Sequence, residues 1–474
     1  MNKKFDTNVQ EIKYEVLKSI VEAYLSNTMN DLFYETPKKI VKDKPTTRCC
    51  IYKERAIVQE RIRLALDNNR NKDGIVEVIN IACDQCETKK YVVSNCKGCL
   101  AKRCERVCPR DAIYFENQRA IIDQSKCIKC GKCYEACSFN AISCNERPCE
   151  KGCKVGAIKS DENGVTKIDY SKCIDCGQCV YQCPFGAVVD RSFILDSLNL
   201  LNNKDEEVYA IIAPSFASQF TDFKPGTIIT GLKELGFKDV YEAALGADIV
   251  SYKEAYELKE KGFLTSSCCP SFVKYIKKNF KEYADYISHN NSPMKEVGLL
   301  IKKNNPNAKV IFIGPCISKK VEGLSDDIID CVLTFEELQA LFDGYKIDLS
   351  SLEESEINNA SYYGRIFARS GGLSEAVSKV YEEENLDFDV DTIICNGFDE
   401  IKIALLKNKN LINKKKIFIE GMFCEDGCIG GPGCLKHNKK SKELINTFSK
   451  NSKEKTIKGT IKLYNNTLNC LKEE

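Results

Sequence analysis

Cysteine limits what this chain can be more than any other residue. Of 28 cysteines in 474 residues, seventeen fall between Cys83 and Cys183, at short and repeating intervals. In a reducing compartment such density points to metal ligation rather than disulfides. Soft thiolates select iron–sulfur clusters or zinc. Histidine is nearly absent, with only His289 and His437, which disfavours Cys/His zinc sites, haem ligation and a histidine general base.

Four runs follow one another: Cys96, Cys99, Cys104 and Cys108; Cys127, Cys130, Cys133 and Cys137; Cys144, Cys149 and Cys153; and Cys173, Cys176, Cys179 and Cys183. The second and fourth have the C-x2-C-x2-C-x3-C spacing of bacterial two-cluster ferredoxins, where three cysteines hold one cubane and the fourth reaches the other. An internal repeat pairs run one with two and three with four: Cys108 to Cys127 is 19 residues and Cys153 to Cys173 is 20, with Ala112-Ile113 and Ile122-Asp123 matched by Ala157-Ile158 and Ile168-Asp169. The expected cubanes are Cys96, Cys99, Cys104 with Cys137; Cys127, Cys130, Cys133 with Cys108; and Cys173, Cys176, Cys179 with Cys153. A fourth, from Cys144, Cys149 and Cys183, lacks a ligand that Cys83 or Cys86 supplies from outside. Two alternatives stay open: a zinc ribbon of Cys83-x2-Cys86 with Cys96-x2-Cys99, and a two-cluster ferredoxin whose remaining thiols are structural.

The rest of the chain sets the frame. Lys+Arg 70 against Asp+Glu 68 leaves a net charge of +2, which argues for neither nucleic acid nor an anionic membrane. No apolar stretch approaches a membrane span, and the N-terminus leads into no signal-peptide core, so the expected location is the cytoplasm. Residues 1–80 read as a helical segment, through Ile12, Val16, Ile20, Val21 and Tyr24 and then Ala56 to Leu66, with a loop at Asp43–Thr47. Cys49 and Cys50 open its second helix as expected buried thiols. Ferredoxin-like units are expected over 81–142 and 143–192.

From about Glu207 cysteines thin out and α/β alternation begins. Strands are expected at Val208–Ala213, Lys238–Tyr241, Lys309–Ile313 and Lys416–Ile419, with a helix over Thr227–Leu235. That pattern predicts a mostly parallel sheet, with sites gathered at strand ends. Three stretches stand out: Thr265-Ser266-Ser267-Cys268-Cys269-Pro270, Gly314-Pro315-Cys316 through Glu322, and the glycine-rich Glu420 to Gly433 with Cys424 and Cys428. In this order, behind a ferredoxin-like run, they resemble the three cluster-binding motifs of [FeFe] hydrogenases.

The resemblance implies two α/β lobes over 205–474 around a buried H-cluster, a [4Fe–4S] cubane joined to a two-iron unit with CO, cyanide and a bridging dithiolate. Carried onto matching positions, the cubane ligands are Cys269, Cys316, Cys424 and the bridging Cys428. Lys319 matches the lysine facing a cyanide, while Met422, Pro214, Ser215 and Ser267 match positions against the two-iron unit. Cys268 matches the proton-donating cysteine, with Glu254, Ser288 and Glu257 as relay; the glutamates share one helix face by their spacing. Glu322 is expected to be structural. The sequence departs from the family pattern at Gly314, Phe272, Met294 and the Gly-Gly-Pro-Gly-Cys434 ending, which is similar to the divergent group B branch; Cys434 is expected to be structural. The implied activity is reversible hydrogen oxidation and proton reduction, with ferredoxin or a similar one-electron carrier and maturation proteins as partners. A hydrogen sensor, or an iron–sulfur assembly or carrier protein of the same fold, is the alternative.

Overall fold

The structure, a computed structural model, describes residues 4–47, 49–67, 74–84, 86, 89–162, 164–387 and 389–464. Its contacts divide the chain into two units, one of Met1–Glu77, Lys172–Gly177 and Val189–Glu474, the other of Val78–Ser171 and Gln178–Val188.

The larger unit contains two parallel sheets. We label its strands β1 (Val208–Ile212), β2 (Asp239–Glu242), β3 (Phe263–Thr265), β4 (Lys309–Ile313), β5 (Cys331–Leu333), β6 (Asp391–Asn396) and β7 (Ile417–Met422). One sheet runs β2-β1-β4-β5 and the other β3-β7-β6. Every pairing is parallel, with Ile311 opposite both Ala210 and Cys331 and Phe418 opposite Leu264 and Thr392. The central strands β1, β4 and β7 are near-continuous apolar runs with little exposure, as strands covered on both faces require. Each motif leaves the C-terminal end of a strand: Pro214 follows β1, Cys268 and Cys269 follow β3, Cys316 follows β4, and Cys424 follows β7.

Strand β7 extends three residues beyond the apolar run that marks it in sequence. The extension is held by Glu420, which is buried and accepts from Gly371 N at 2.7 Å and Ser374 N at 2.8 Å. These amides open the Gly372–Glu383 helix, where unsatisfied N–H groups favour a carboxylate. The expected Thr227–Leu235 helix runs Pro225–Glu234, started by a proline in its first turn.

The helices of residues 1–80 pack as part of this larger unit. Asn8–Leu25 is capped by Thr7, whose hydroxyl accepts from Gln10 N at 3.2 Å. Its Lys13 pairs with Asp190 and Glu336, each at 2.6 Å. A helix at Leu32–Ile40 escapes the sequence pattern because Pro37 lies inside it. The Phe33 carbonyl four residues before that proline, deprived of a backbone N–H, accepts instead from Gln59 Nε2 at 3.0 Å. Cys50 is exposed and Cys49 half-buried at the start of the Ile51–Ala65 helix, which corrects the expectation of two buried thiols.

The smaller unit displays the internal repeat. Ile113–Glu116 pairs antiparallel with Arg119–Ile122, and Ile158–Ser160 with Thr166–Ile168. In both halves the aspartate after the second strand donates its N–H to the alanine before the first: Asp123 to Ala112 O at 2.7 Å, Asp169 to Ala157 O at 2.8 Å. Lys90–Val93 pairs with Ile142–Asn145. The last cysteine of each run receives an amide from the alanine four residues on: Ala112 to Cys108 Sγ and Ala141 to Cys137 Sγ at 3.3 Å, Ala157 to Cys153 Sγ and Ala187 to Cys183 Sγ at 3.2 Å. Amides aimed at sulfur are what a cluster-bearing thiolate needs, because hydrogen bonds to the sulfurs stabilise the charged form.

Candidate active site

Strand ends β1, β3, β4 and β7 surround a cavity of about 90 Å³. Its lining is stripped of bulk: Ala213, Ala243, Ala244, Ala247, Gly364 and Ala368 face it, beside Pro214, Met294, Phe312, Phe367 and Met422. The polar members are Cys268, Cys269, Cys316, Cys428 and Lys319. Burial pushes the Cys316 thiol up to about 11 and Cys428 up to about 12, and each is raised further by Cys269. Cys424 is pushed up by burial and then by Cys316, Cys269 and Cys428, so all four expected cubane ligands stand within one another's field.

Two further facts test whether an H-cluster suits this place. Burial and neighbouring charge raise the Cys316, Cys424 and Cys428 thiols, and such groups favour their thiolate form only beside metal cations, which deprotonate coordinating thiols. Among the described residues no three Cys, His, Asp or Glu side chains converge as one metal ion demands, whereas a cubane spreads its ligands over separate irons. Ser215, next to the cavity residue Pro214, has a fully buried hydroxyl with no partner among the described residues. The donor set therefore fits the group. Ser215 and Ser267 themselves do not line the cavity: Ser215 lies one residue deeper than Pro214, and Ser267 turns away to donate to Asn290 O at 2.8 Å.

The glycines of the third motif serve neighbouring backbone. A Cβ on Gly431 would stand 2.5 Å from the Pro315 carbonyl, and Gly427, at φ +83°, lies against Arg369 and Ser370. Sequence departures from the family pattern are also filled. At Gly314 a Cβ would meet the Phe312 ring at 2.8 Å, so phenylalanine occupies the space a larger side chain would take there. Phe272 packs flat against Gly421, and Met294 faces the cavity. Cys434 is fully buried, donating from Sγ to Ile429 O at 3.4 Å.

A chain of polar groups leads inward from the surface. Glu257 accepts from Lys261 Nζ at 2.7 Å, Asn290 Nδ2 at 2.9 Å and Ser288 Oγ at 2.9 Å. Next along the helix face, Glu254 is completely buried; it accepts from Ser267 N at 3.3 Å, and its other oxygen has no partner among the described residues. Burial pushes this carboxyl up to about 8, against smaller lowering contributions from Ser267 and Ser288. Cys268 lies beyond, pushed well up by burial and then by the charge of Glu254. The structure thus brings Glu257, Ser288, Glu254 and Cys268 together in the order expected. Lys319 donates to Cys268 O at 3.2 Å and pairs with Glu322, which bears out the structural reading of Glu322.

The Cys173–Gly177 segment lies against the same site. Lys278 donates to Cys173 O at 2.8 Å, Lys274 pairs with Asp175, and the space over Gly177 is filled by Ile317 and Pro432. Cys176 is near enough to Cys424 for its charge to be felt there.

Residues 206–432 match the family model of the iron only hydrogenase large subunit, C-terminal domain, and residues 126–187 that of the 4Fe-4S dicluster domain. This stretch is similar to the iron-only hydrogenase family. Iron hydrogenase 1 of Clostridium pasteurianum is 29% identical over 426 residues, covering 76% of this chain and 72% of that protein. The cytosolic Fe-S cluster assembly factor narfl of Danio rerio is 25% identical over 299 residues, covering 50% of this chain and 71% of that protein. The solved [FeFe]-hydrogenase HydA1 of Chlamydomonas reinhardtii aligns with a TM-score of 0.48 at 20% identity, over 58% of this chain and 94% of that one. No helix among the described residues is long and apolar enough to cross a membrane.

In the smaller unit, Cys108, Cys127, Cys130 and Cys133 line one cavity, and Cys104 feels Cys137 and Cys96, in keeping with the first two expected groupings. Cys144 corrects the third run. It sits on the Ile142–Asn145 strand opposite Tyr91, whose hydroxyl it engages, and it is absent from the cavity that holds Cys149 and Cys183. Spacing placed it; strand geometry turns it elsewhere. The alanine wall, Phe312, Phe367 and Asn290 carry no signal in the sequence beyond the small-residue run Ala243-Ala244-Leu245-Gly246-Ala247.

Proposed function

We propose that this protein is an [FeFe] hydrogenase that interconverts hydrogen with protons and electrons, in the cytoplasm, with ferredoxin or a similar one-electron carrier as partner. The observation that carries this reading is an alanine-walled cavity lined by Cys269, Cys316 and Cys428, with Cys424 in their field, approached by a row of acid and hydroxyl groups from Glu257 to Cys268. Cys269, Cys316, Cys424 and Cys428 would hold the cubane of the H-cluster, and Lys319, Met422 and Pro214 would contact its two-iron unit. When bound, that group supplies the hydrogen chemistry and exchanges electrons one at a time.

The chain's own residues handle protons, orientation and water. Glu257, only partly exposed and held by Lys261, takes up or releases protons. Ser288 passes them to Glu254, whose carboxyl, pushed up to about 8, exchanges a proton readily near neutral pH. Cys268 holds the last proton at the cavity wall. The alanines and Phe312 exclude water there, which strengthens each electrostatic contact inside. Cubanes held by the cysteines of the ferredoxin-like parts, 81–142 and 143–192, would supply one-electron transfer to and from the 205–474 domain. Maturation proteins deliver the two-iron unit.

A second reading has its own support: relatives include cytosolic Fe–S assembly factors. That function, or a sensor with little turnover, needs no proton route. Infrared spectroscopy on anaerobic protein co-produced with maturation proteins, with hydrogen evolution measured on the same sample, separates them. Metal-bound CO and cyanide bands with turnover support the enzyme. Bands without turnover support the sensor, and no bands support the assembly protein.

A further inference from the structure

Cys83, Cys86, Cys149 and Cys183 line one cavity in the smaller unit, around the side chain of Arg147. The four come from three distant places in sequence, and neither Cys144 nor any other cysteine among the described residues lines it. Cys149 feels the charge of Cys183 and Cys83, and Cys86 that of Cys183 and Cys83, so the set is mutually close. Backbone amides already address two of the sulfurs: Thr166 N donates to Cys83 Sγ at 3.4 Å and Ala187 N to Cys183 Sγ at 3.2 Å. The second is the contact that recurs at Cys108, Cys137 and Cys153.

Arg147 is the unusual member. Its residue is 2% exposed, and it forms no ion pair with a carboxylate among the described residues. It donates to Cys83 Sγ at 3.5 Å, to Thr166 Oγ1 at 2.9 Å, to Cys86 O at 2.6 Å and to Gly164 O, and its Nε has no partner among the described residues. A guanidinium stays charged at any ordinary pH. A buried cation without a counter-charge is costly, so this site calls for an anion, and four thiolates around a cubane supply one.

We propose that Cys83, Cys86, Cys149 and Cys183 ligate a fourth accessory [4Fe–4S] cluster, with Arg147 as the positioning residue that sets its potential. Both cysteines of the outside pair serve, and Cys144 does not. The proposal rests on the electron-transfer part of the function above, but its chemistry needs only iron and sulfide. Reduction adds an electron to an anionic cluster, and the neighbouring guanidinium favours that more negative state, so Arg147 raises the potential. This cluster is then more easily reduced than it would be without the guanidinium, which suits it to holding an electron between one-electron deliveries.

The test uses the full chain, reconstituted anaerobically with ferrous iron and sulfide in the absence of maturation proteins. Five cubanes give about 20 irons. Each of Cys83→Ala, Cys86→Ala, Cys149→Ala and Cys183→Ala should lose about four irons, with the other reduced-cluster signals in electron paramagnetic resonance retained as the check on folding. Cys144→Ala should lose none. Arg147→Gln should keep its iron while one cluster's potential falls, by about 59 mV for a tenfold change in its reduced fraction. Four irons lost from Cys144→Ala with Cys86→Ala intact would overturn the ligand set. One zinc per chain, released by any of the four variants with no iron lost, would overturn the cluster. An unchanged potential in Arg147→Gln would remove the role of the guanidinium. Because no two-iron unit is present, these results stand apart from any failure of hydrogen turnover.

Discussion

Glu254→Gln tests the proposed route through two independent readouts. The side chain is completely buried and held at one oxygen by Ser267, and glutamine preserves that shape. Burial raises the carboxyl from 4.5 to about 8, so between those pH values the native protein holds a proton that the unfolded chain has released. Stability should therefore fall as pH rises through this window, then level off above it. At about 1.4 kcal/mol per pH unit the whole window is worth about 5 kcal/mol, an upper figure for this one group.

Glutamine cannot titrate, so this portion of the pH dependence should vanish. Anaerobic thermal midpoints of parent and variant, both carrying their clusters, should move apart in the variant's favour from pH 5 to pH 8. Hydrogen evolution should meanwhile drop about 10²- to 10⁴-fold, the usual contribution of a positioned acid–base group, with CO and cyanide bands unchanged. A pH profile of stability identical in the two proteins would refute the buried titration. Parent-level turnover in Glu254→Gln would refute the route.

Three further perturbations separate chemistry from architecture. Cys268→Ala should keep the cofactor bands and lose most hydrogen evolution, with Asp restoring part and Ser little, whereas Cys269→Ala should disturb the cubane, seen as lost iron. Ala247→Leu puts a larger side chain into the cavity; overpacking costs about 1–3 kcal/mol, and the variant should retain cubane iron while its CO and cyanide bands are lost. Arg365 is buried and reaches Glu242 through Nε at 2.7 Å and Nη2 at 2.8 Å, so Arg365→Met should lower stability by about 3–5 kcal/mol by stranding that carboxylate, measured by denaturant titration.

Much of this site was legible because its chemistry depends on residue type at short spacing. Cys424 and Cys428 lie four apart behind one strand, and Glu254 and Glu257 three apart on one helix, so local geometry already joins each pair. Strands β1 and β4 were legible as apolar runs that must be covered on both sides. Positions that depend on distant chain were not. Cys144 has the spacing of a ligand, yet the pairing of Ile142–Asn145 with Lys90–Val93 turns it toward Tyr91. Cys50 opens a helix, where the next turn offers it no cover. Ser267 stands in a cluster-binding motif, but the nearest acceptors are Asn290 O and Glu254. The alanines of the cavity wall signal nothing by themselves, since alanine suits any helix.

The Ala243–Lys261 helix ties these parts into one device. Its first turns present Ala243, Ala244 and Ala247 to the cavity, and its later turns carry Glu254 and Glu257. A helix holds such residues at fixed rise and rotation, so the distance from cavity wall to proton entrance cannot drift independently. The helix is itself fixed at several points. Glu242 at its start is forked by Arg365, Asp248 accepts from Ser361 N at 2.8 Å and from its hydroxyl at 2.5 Å, and Gly246 lets the Pro293 carbonyl approach within 2.1 Å of where a Cβ would stand. Gly364, which closes the cavity, belongs to the same Ser361 turn. Loosening Arg365 should therefore act on proton delivery as well as on stability. In Arg365→Lys, which keeps the charge but not the fork, hydrogen evolution should fall further than the loss of folded protein accounts for. If activity simply tracked the folded fraction, the helix would be a scaffold and nothing more.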